Sequence, residues 1–380
     1  MPNEIYLDYN ATTPIDKDVI DEMLPYIQNW YGNPSSSHSY GIKAQEAVQL
    51  ARETVAHLIR ANADEIVFTS GGTEANNIAI KGIAFANKEK GKHIITSAIE
   101  HPAVIKVCEH LENLGWEVTY VPVNKFGTVK SNDIEKAIRK DTTLISIMHA
   151  NNEVGTIQPI EEIGAIAKKY SIAFHTDAAQ ALGKIETDVK KMGVDLLSIA
   201  GHKIYAPKGI GALYIKKGTK IEKLMHGASQ ENGLRAGTEN VPYIVALGKA
   251  CEIAQHKFEE NTQNMFTAKN RLIEGLKDDL KHIVHMNGDQ DNCLPNTLSV
   301  AFLGVESHAL ASAISSQIFI STGSACHNSL KEASSVLQAM HVNLKVAKGT
   351  VRLSTGKHTT ISEIDEAIET IIEAVNKLLL

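Results

Sequence analysis

The sequence carries little that would tie the protein to a membrane, to nucleic acid or to an export pathway. No apolar run approaches the roughly 20 residues that a membrane-spanning helix needs. The amino-terminal residues have neither the basic start nor the apolar core of an export signal. Lysine and arginine total 38 against 44 aspartates and glutamates, so the net charge is −6 and the basic surplus of nucleic-acid-binding proteins is absent. These absences predict a cytoplasmic protein with no direct contact to membranes or nucleic acids.

Cysteine is scarce, and no two cysteines lie close together in the sequence. The four are Cys108, Cys251, Cys293 and Cys326, and none forms the C-x-x-C pair of redox or zinc sites. In a chain without an export signal, free thiols are expected rather than disulfides. The cysteines and histidines also lack the spacing of zinc ligands, so we predict no metal site.

The order of predicted elements indicates an α/β fold in two domains, which suits a length of 380 residues. Between residues 64 and 215, β-rich runs alternate with amphipathic stretches such as a helix predicted over Glu74–Lys90, which is typical of βαβ units and a mainly parallel sheet. A long helical pattern then runs from Tyr243 past Ala268, and short strands follow. We predict a large domain of residues 15–250 and a smaller α+β domain of residues 1–14 and 251–380.

The run SGGTEANN at residues 70–77 follows a predicted strand and opens a helix. Its two glycines let the backbone approach a ligand closely, and the start of a helix offers unpaired N–H groups to an anion. The run matches neither the Walker A loop nor GxGxxG. It therefore predicts a phosphate site without a nucleotide motif, and a plain turn with Thr73 as helix cap is the alternative.

Four more polar residues follow predicted strands, at the edge where parallel sheets bind ligands: His101, Asn152, Asp177 and Lys203. Each has an ordinary explanation when taken alone, as a helix cap, a packing histidine or a turn residue. Together with the anion site they form the set that pyridoxal phosphate (PLP) needs. Its aldehyde needs a lysine amine, its pyridine nitrogen needs a carboxylate and its phosphate needs an anion site.

Two residues of the carboxyl-terminal part add to this picture. Cys326 lies in STGSACHNS, residues 321–329, whose small polar residues are typical of an exposed loop and predict a reactive thiol. Arg352 lies in a short apolar strand, and a buried arginine binds a carboxylate with its planar fork. That carboxylate belongs either to an amino-acid substrate or to an aspartate or glutamate of the chain.

The motifs resemble, in order and along nearly the whole chain, those of the NifS/IscS-like cysteine desulfurases within the class V aminotransferases. The matching segments are YLDYNATTP at 6–14, GGTEANN at 71–77, EH at 100–101, NNEVG at 151–155, DAAQ at 177–180, GHK at 201–203, RAGT at 235–238 and GSAC at 323–326. The chain departs from the family pattern at Ala200, Asn232, Leu234 and Ala236, where serine or arginine is more usual. It also departs at His327 and Ala333, where threonine or serine and proline are commoner.

The resemblance implies a PLP-dependent transferase of fold type I, with a mainly parallel seven-stranded sheet in the large domain and an active site at the interface of a homodimer. Lys203 would form the Schiff base with PLP. The other implied contacts to the cofactor ring are Asp177 at the pyridine nitrogen, Gln180 at the ring hydroxyl, His101 stacked on the ring and Asn152 beside it. At the phosphate the implied contacts are Gly72, Thr73 and His202 of the same chain, together with Thr238 of the partner subunit.

The implied reaction converts L-cysteine to L-alanine. Asn10, Asn152 and Arg352 would bind the substrate, His101 would assist proton transfer, and Cys326 would take the sulfur as a persulfide for an acceptor protein of iron–sulfur cluster assembly or thiolation. A selenocysteine lyase or another PLP-dependent Cβ lyase or aminotransferase is the alternative, although these reactions need no persulfide carrier. A catalytically weak sulfur-delivery partner with the same fold is a third possibility, which the intact set of site residues disfavours.

Overall fold

The structure is a computed structural model that describes residues 4–322 and 333–380. The predicted nucleophile Cys326 lies outside the described residues. The strands are β1 (Ile5–Tyr6), β2 (Ile66–Thr69), β3 (His93–Ser97), β4 (Glu117–Val121), β5 (Thr142–Ser146), β6 (Ala173–Asp177), β7 (Leu196–Ala200), β8 (Gly211–Ile215), β9 (Val284–Asn287), β10 (Thr297–Phe302), β11 (Ile318–Phe319), β12 (Ser321–Thr322) and β13 (Thr350–Ser354).

The helices connect these strands and cover them. They are α1 (Lys17–Gln28), α2 (Ser39–Leu58), α3 (Gly72–Ala86), α4 (Pro102–Glu112), α5 (Ser131–Ala137), α6 (Ile160–Tyr170), α7 (Val189–Met192), α8 (Val241–His256), α9 (Phe258–Leu280), α10 (Ser307–Ile314), α11 (Ser335–Ala339), α12 (Leu344–Lys348) and α13 (Ile361–Leu379). None of the helices in the described ranges is both long and apolar enough to cross a membrane.

The large sheet has seven strands in the order β2-β8-β7-β6-β5-β3-β4, and β8 alone runs antiparallel to its neighbours. This confirms the predicted mainly parallel seven-stranded sheet. Successive residues of a strand point to opposite faces, so Leu144 packs in a cluster with α3 and α4 while Ile145 packs in a second cluster with α2 and α8. Because both faces are covered, the central strands β3, β5 and β7 are buried along their whole length. The carboxyl ends of β3, β5, β6 and β7 meet at one edge of the sheet.

Two helix predictions differ from the structure, one in its ends and one in its continuity. Helix α3 begins at Gly72, two residues before the predicted start, and ends at Ala86, where the Asn87 side chain donates to the Ile83 carbonyl 2.9 Å away. The helical pattern from Tyr243 divides into α8 and α9 at Lys257, whose φ of −108° and ψ of 21° leave the helical region. The helical spacing of apolar residues continues through Lys257 in the sequence because both helices are amphipathic: α8 packs in one hydrophobic cluster and α9 in another.

The carboxyl-terminal part forms a four-stranded antiparallel sheet in the order β12-β13-β10-β9, which packs against α9 and α13. Strand β1 pairs in parallel with β11, and Ile5 and Leu7 are almost completely buried in the same cluster as Leu353. The amino-terminal segment therefore packs with the carboxyl-terminal sheet. The division into domains at residues 14 and 250 stays a prediction.

Candidate active site

A cavity of about 370 Å³ lies at the carboxyl edge of the large sheet, within the range of about 300–1,000 Å³ that small-molecule sites occupy. Its walls come from the strand ends of the large sheet, the start of α3, the amino-terminal segment and β13. The predicted site residues that line it are Asn10, Gly72, Thr73, His101, Asn152, Asp177, Gln180, His202, Lys203 and Arg352. Thr238 is exposed and lies outside this cavity, and its role at the phosphate stays a prediction.

The start of α3 forms an open anion site at one end of the cavity. Gly71 has a φ of +148°, which residues with side chains rarely adopt, and no described atom lies within 4 Å of the position of its missing Cβ. Within the described chain no side chain caps the first N–H groups of the helix. The acid of the first turn, Glu74, is paired with Arg235 at 2.8 Å. Burial would raise the pKa of Glu74, but the hydrogen bonds from Arg235 and Ser70 hold it below its ordinary value. The charge of Glu74 is therefore balanced by Arg235, and it repels an anion at the start of α3 less than a free carboxylate would.

His202 stands beside the reactive lysine, with its Nδ1 3.1 Å from the Thr12 hydroxyl. Burial, together with the positive charge of Lys203, lowers the pKa of His202 to about 4. The ring is therefore neutral at physiological pH. It can take part in hydrogen bonds to a phosphate, but it adds no positive charge to the site.

Asp177 ends β6 and is 7% exposed. One carboxylate oxygen accepts a hydrogen bond from the Asn76 side chain at 2.7 Å, and the other accepts one from the Ala179 N–H at 2.9 Å. These two donors fix the direction of the carboxylate while leaving lone pairs for a ligand. Asn76 was not predicted, although it lies in the motif at 71–77 one helical turn after Gly72, a spacing that puts both residues on one face of α3.

Lys203 follows β7 in a short turn of 3₁₀ helix over Gly201–Lys203. A side chain at Gly201 would come within 2.9 Å of the Ile210 carbonyl oxygen, so the turn requires glycine. The Lys203 Nζ donates to the carbonyl oxygens of Asn10 at 2.5 Å and Ala11 at 2.7 Å. Burial lowers the pKa of Lys203 to about 8, and the Arg352 charge acts in the same direction. A large fraction of this amine is consequently unprotonated, and nucleophilic, at mildly alkaline pH.

His101 precedes α4, where it caps the helix, and its stacking on a cofactor ring stays a prediction. Its Nδ1 accepts a hydrogen bond from the Ala103 N–H at 3.1 Å, as a helix cap does, and its ring also lines the cavity. Burial lowers the pKa of His101, and the effects of Asp177 and Lys203 on it oppose each other. Because Nδ1 accepts, the neutral ring carries its proton on Nε2.

Arg352 makes an ion pair with a carboxylate of the chain itself. Its Nη2 donates to Asp8 at 2.7 Å and to the Ser321 hydroxyl at 2.9 Å, and its Nη1 donates to the Asn152 carbonyl at 3.0 Å. Its Nε is buried without a partner among residues 4–322 and 333–380. The internal ion pair considered from the sequence is therefore present, with Asp8 as its partner. The guanidinium still keeps unused N–H groups where it lines the cavity.

The three amide side chains differ in how far their hydrogen-bonding groups are already used. The Asn10 side chain donates to the Thr297 hydroxyl at 2.8 Å and accepts from Asn296 at 3.0 Å, so it joins the amino-terminal segment to β10. Asn152 contributes its main-chain carbonyl, and not its side-chain amide, to the hydrogen bonds from Arg352 and from the Asn10 side chain. Gln180 donates to the Asn10 carbonyl at 2.9 Å and accepts from Lys184 at 2.8 Å. Lys184 was not predicted as part of the site.

PLP fits this cavity because the complementary groups face a single space. The anion site at α3, the carboxylate of Asp177 and the amine of Lys203 lie on its walls, and the flat ring of His101 is available for stacking. Arg352 lines the same cavity, and its Nη1 keeps one N–H beyond the hydrogen bond to the Asn152 carbonyl, which is a donor for a carboxylate. The residues therefore suit PLP together with an amino acid.

Comparisons with known proteins agree with this geometry. The family model described as aminotransferase class-V matches residues 5–367. A cysteine desulfurase IscS of Methanosarcina thermophila is 51% identical over 375 residues, which cover 98% of this chain and 92% of the relative. A solved NifS-like protein aligns with a TM-score of 0.93 at 40% identity, covering 98% of this chain and all of that one.

A solved structure of SspA in complex with cysteine aligns with a TM-score of 0.83 at 40% identity, covering 94% of this chain and 100% of that one. Family, fold and cofactor are thereby those predicted from the sequence motifs. Since about half of its residues are identical to those of a cysteine desulfurase over nearly its full length, the chain belongs to the PLP-dependent NifS/IscS cysteine desulfurases of the class-V aminotransferase family.

Proposed function

We propose that the chain converts L-cysteine to L-alanine and holds the released sulfur on Cys326 as a persulfide for transfer to an acceptor protein. The observation that carries the proposal is that Lys203, Asp177 and Arg352 line one cavity with an open helix N-terminus. A phosphate-bearing cofactor and an amino-acid carboxylate each find their complementary group there. The identity of the acceptor, a protein of iron–sulfur cluster assembly or of thiolation, rests on the family resemblance.

When bound, PLP supplies an electron sink that weakens the bonds at the α- and β-carbons of an amino acid. The N–H groups of α3 and the Thr73 hydroxyl would hold its phosphate, and Asp177 would hold the ring nitrogen in its protonated form. His101 would cover the ring. The Asp177 carboxylate is well suited to this part because its two hydrogen bonds to the chain keep it in place.

Lys203 is the residue suited to move the proton at the α-carbon of the substrate. Burial brings its pKa to about 8, and a group whose pKa lies near the working pH both accepts and releases a proton efficiently. His101, with its proton on Nε2, is placed at the same cavity to assist. Whenever it is not bonded to the cofactor, the Lys203 amine would be free for this task.

Cys326 would then attack the substrate sulfur as a thiolate. A sulfur–sulfur bond would form as the bond between Cβ and sulfur breaks. The electron pair of the broken bond would stay with the carbon. Protonation of that carbon yields the methyl group of alanine, and the sulfane sulfur remains on Cys326. The role of Cys326 rests on the GSAC motif at residues 323–326 and its small polar surroundings in the sequence.

The product balance tests the proposal. Purified protein reconstituted with PLP and given L-cysteine and an excess of a thiol reductant should release alanine and sulfide in equal amounts. A Cβ lyase would instead release pyruvate and ammonia, and an aminotransferase would require an added keto acid. Selenocysteine supplied in parallel separates the lyase alternative, since a selenocysteine lyase would turn over that substrate alone. Pyruvate as the carbon product would overturn the desulfurase assignment.

Arg352→Lys should raise KM for L-cysteine about 10- to 100-fold and change kcat much less. A lysine keeps the positive charge, but it loses the planar fork that binds a carboxylate through two hydrogen bonds. Arg271→Lys is the matched control, because Arg271 forms an exposed ion pair with Asp365 away from the cavity. Steady-state sulfide release measures both variants. An unchanged KM in Arg352→Lys would remove Arg352 from substrate binding.

We further propose that the chain works as a homodimer in the cytoplasm. Three apolar residues of α1, Ile20, Leu24 and Ile27, recur at helical spacing and are 40–51% exposed, beside the buried face of the helix. A second copy of the chain would cover this stripe, and Thr238, exposed outside the cavity, would reach the partner's phosphate site. Sedimentation velocity should report twice the chain mass of 41.3 kDa, and a fully active monomer would contradict the proposal.

The free thiols of Cys108, Cys251 and Cys293 agree with a reducing compartment.

A further inference from the structure

Lys184 is a second buried lysine beside the cavity, and the proposed reaction does not use it. It lies beyond β6, in the chain segment that follows Gln180, and is only 6% exposed. Its Nζ donates to the Gln180 Oε1 at 2.8 Å, the one hydrogen bond that it makes within the described residues. Burying an ammonium group is costly, so a lysine at this position needs an explanation in the site that it touches.

The contact of Lys184 decides which way the Gln180 amide faces. The oxygen and the nitrogen of a glutamine amide are similar in shape, and their hydrogen-bonding partners determine the orientation. Lysine Nζ donates from its charged form, so it requires the Oε1 side of the amide. The Nε2 side then faces the Asn10 carbonyl, to which it donates at 2.9 Å. In the flipped amide, donor would face donor at Lys184 and acceptor would face acceptor at Asn10.

The fixed amide keeps one N–H in reserve. Nε2 carries two N–H groups, and the hydrogen bond to the Asn10 carbonyl uses one of them. Gln180 lines the cavity, so the second N–H is available to a ligand there. A site with this donor favours an acceptor, above all an anionic oxygen, on the bound ring.

The surroundings of Lys184 bring the pKa of its buried amine close to neutral pH. Burial lowers the pKa of Lys184 to about 7, and the positive charges of Lys203 and Arg352 act in the same direction. Asp8 and Asp177 face Lys203 and partly offset these charges. Both protonation forms of the Lys184 amine carry N–H groups for the Gln180 oxygen, and the Asn10 carbonyl accepts only from the Nε2 side, so the two contacts favour the same amide orientation in either form.

We propose that Lys184 is a positioning residue that locks the Gln180 amide with its N–H toward the cavity, so that the site binds an ionised ring oxygen of PLP. The proposal rests on the proposed function for the identity of the ligand. It extends that function by assigning the selectivity for the ring oxygen to a residue that does not itself line the cavity.

The test compares binding of two ligands to the apoprotein, PLP and its 3-O-methyl ether, which has no ionisable ring oxygen. Lys184→Met, which keeps the length of the side chain without its donor, should weaken PLP binding about 10- to 100-fold, as expected for the loss of one hydrogen bond to a charged group. Binding of the methyl ether should change less than threefold. Lys184→Arg, which keeps a donor, should restore most of the preference, and Lys190→Met, an exposed lysine on α7, is the control.

The readout separates positioning from a merely structural role. If Lys184 only supports the fold, Lys184→Met lowers the melting temperature and weakens both ligands equally, which would overturn the proposal. In a Gln180→Leu background, Lys184→Met should add no further loss of preference, because the amide that it orients is gone. These measurements use binding and not turnover. A failure of the alanine and sulfide assay would therefore contradict the proposed function while leaving this inference standing.

Discussion

Replacing Lys203 with alanine is expected to abolish covalent attachment of PLP and to lower kcat for sulfide release from L-cysteine by at least about a thousandfold. Covalent catalysis and proton transfer each contribute large factors to rate, of about 10²–10⁴ for proton transfer alone, and this one amine supplies both. Wild-type protein treated with borohydride should carry the cofactor mass on the peptide containing Lys203, and Lys203→Ala should not.

Two further variants sharpen this experiment. Lys203→Arg keeps the positive charge, but its pKa is too high for the side chain to lose a proton, so it should be as inactive as Lys203→Ala. Lys208→Ala, an exposed lysine five positions later in the same loop, should keep both the covalent cofactor and the activity. Turnover above a few per cent in Lys203→Arg would show that the amine is not the proton carrier.

Cys326→Ser is expected to lower sulfide release by at least about a hundredfold while leaving the binding of PLP and L-cysteine unchanged. A serine hydroxyl is a far poorer nucleophile than a thiolate near neutral pH, so the sulfur has no carrier. Mass spectrometry of wild-type protein after brief exposure to L-cysteine without reductant should find one additional sulfur on the peptide containing Cys326.

Cys293→Ser provides the matched control for this variant. Cys293 is the partly exposed thiol among the described cysteines, whereas Cys108 and Cys251 are buried. Cys293→Ser should retain full activity, and the Cys293 peptide should not gain sulfur. Full activity in Cys326→Ser, or the additional sulfur on Cys293, would move the persulfide away from Cys326.

The sequence was sufficient for those parts of the site that follow from the ends of strands. Asp177 ends one buried strand and Lys203 lies three residues after the end of the next, and the carboxyl ends of parallel strands meet at one edge. Their presence in one cavity follows from this rule once the βαβ pattern is recognised. The glycines before α3 give a local signal of the same kind, because the open turn needs a backbone conformation that glycine adopts readily.

The missed residues are those whose contacts join distant parts of the chain. Asp8 pairs with Arg352 across 344 positions, and Asn76 reaches Asp177 across 101. An acid such as Asp8 has no unusual neighbours in the sequence, and its partner is known only once β13 lies beside the amino-terminal segment. Lys184 looks like an ordinary surface lysine, because its burial depends on packing that no local pattern records.

The amino-terminal segment has a practical consequence for handling the protein. The main-chain carbonyl of Asn10 accepts hydrogen bonds from both Lys203 and Gln180, and the Asn10 N–H donates to the Ser354 hydroxyl of β13. The segment after β1 is thus a wall of the cavity, anchored to the strand that bears Arg352. Affinity tags and fusion partners for purification therefore belong after the exposed Leu380, and a deletion of a dozen leading residues would dismantle the pocket rather than trim the protein.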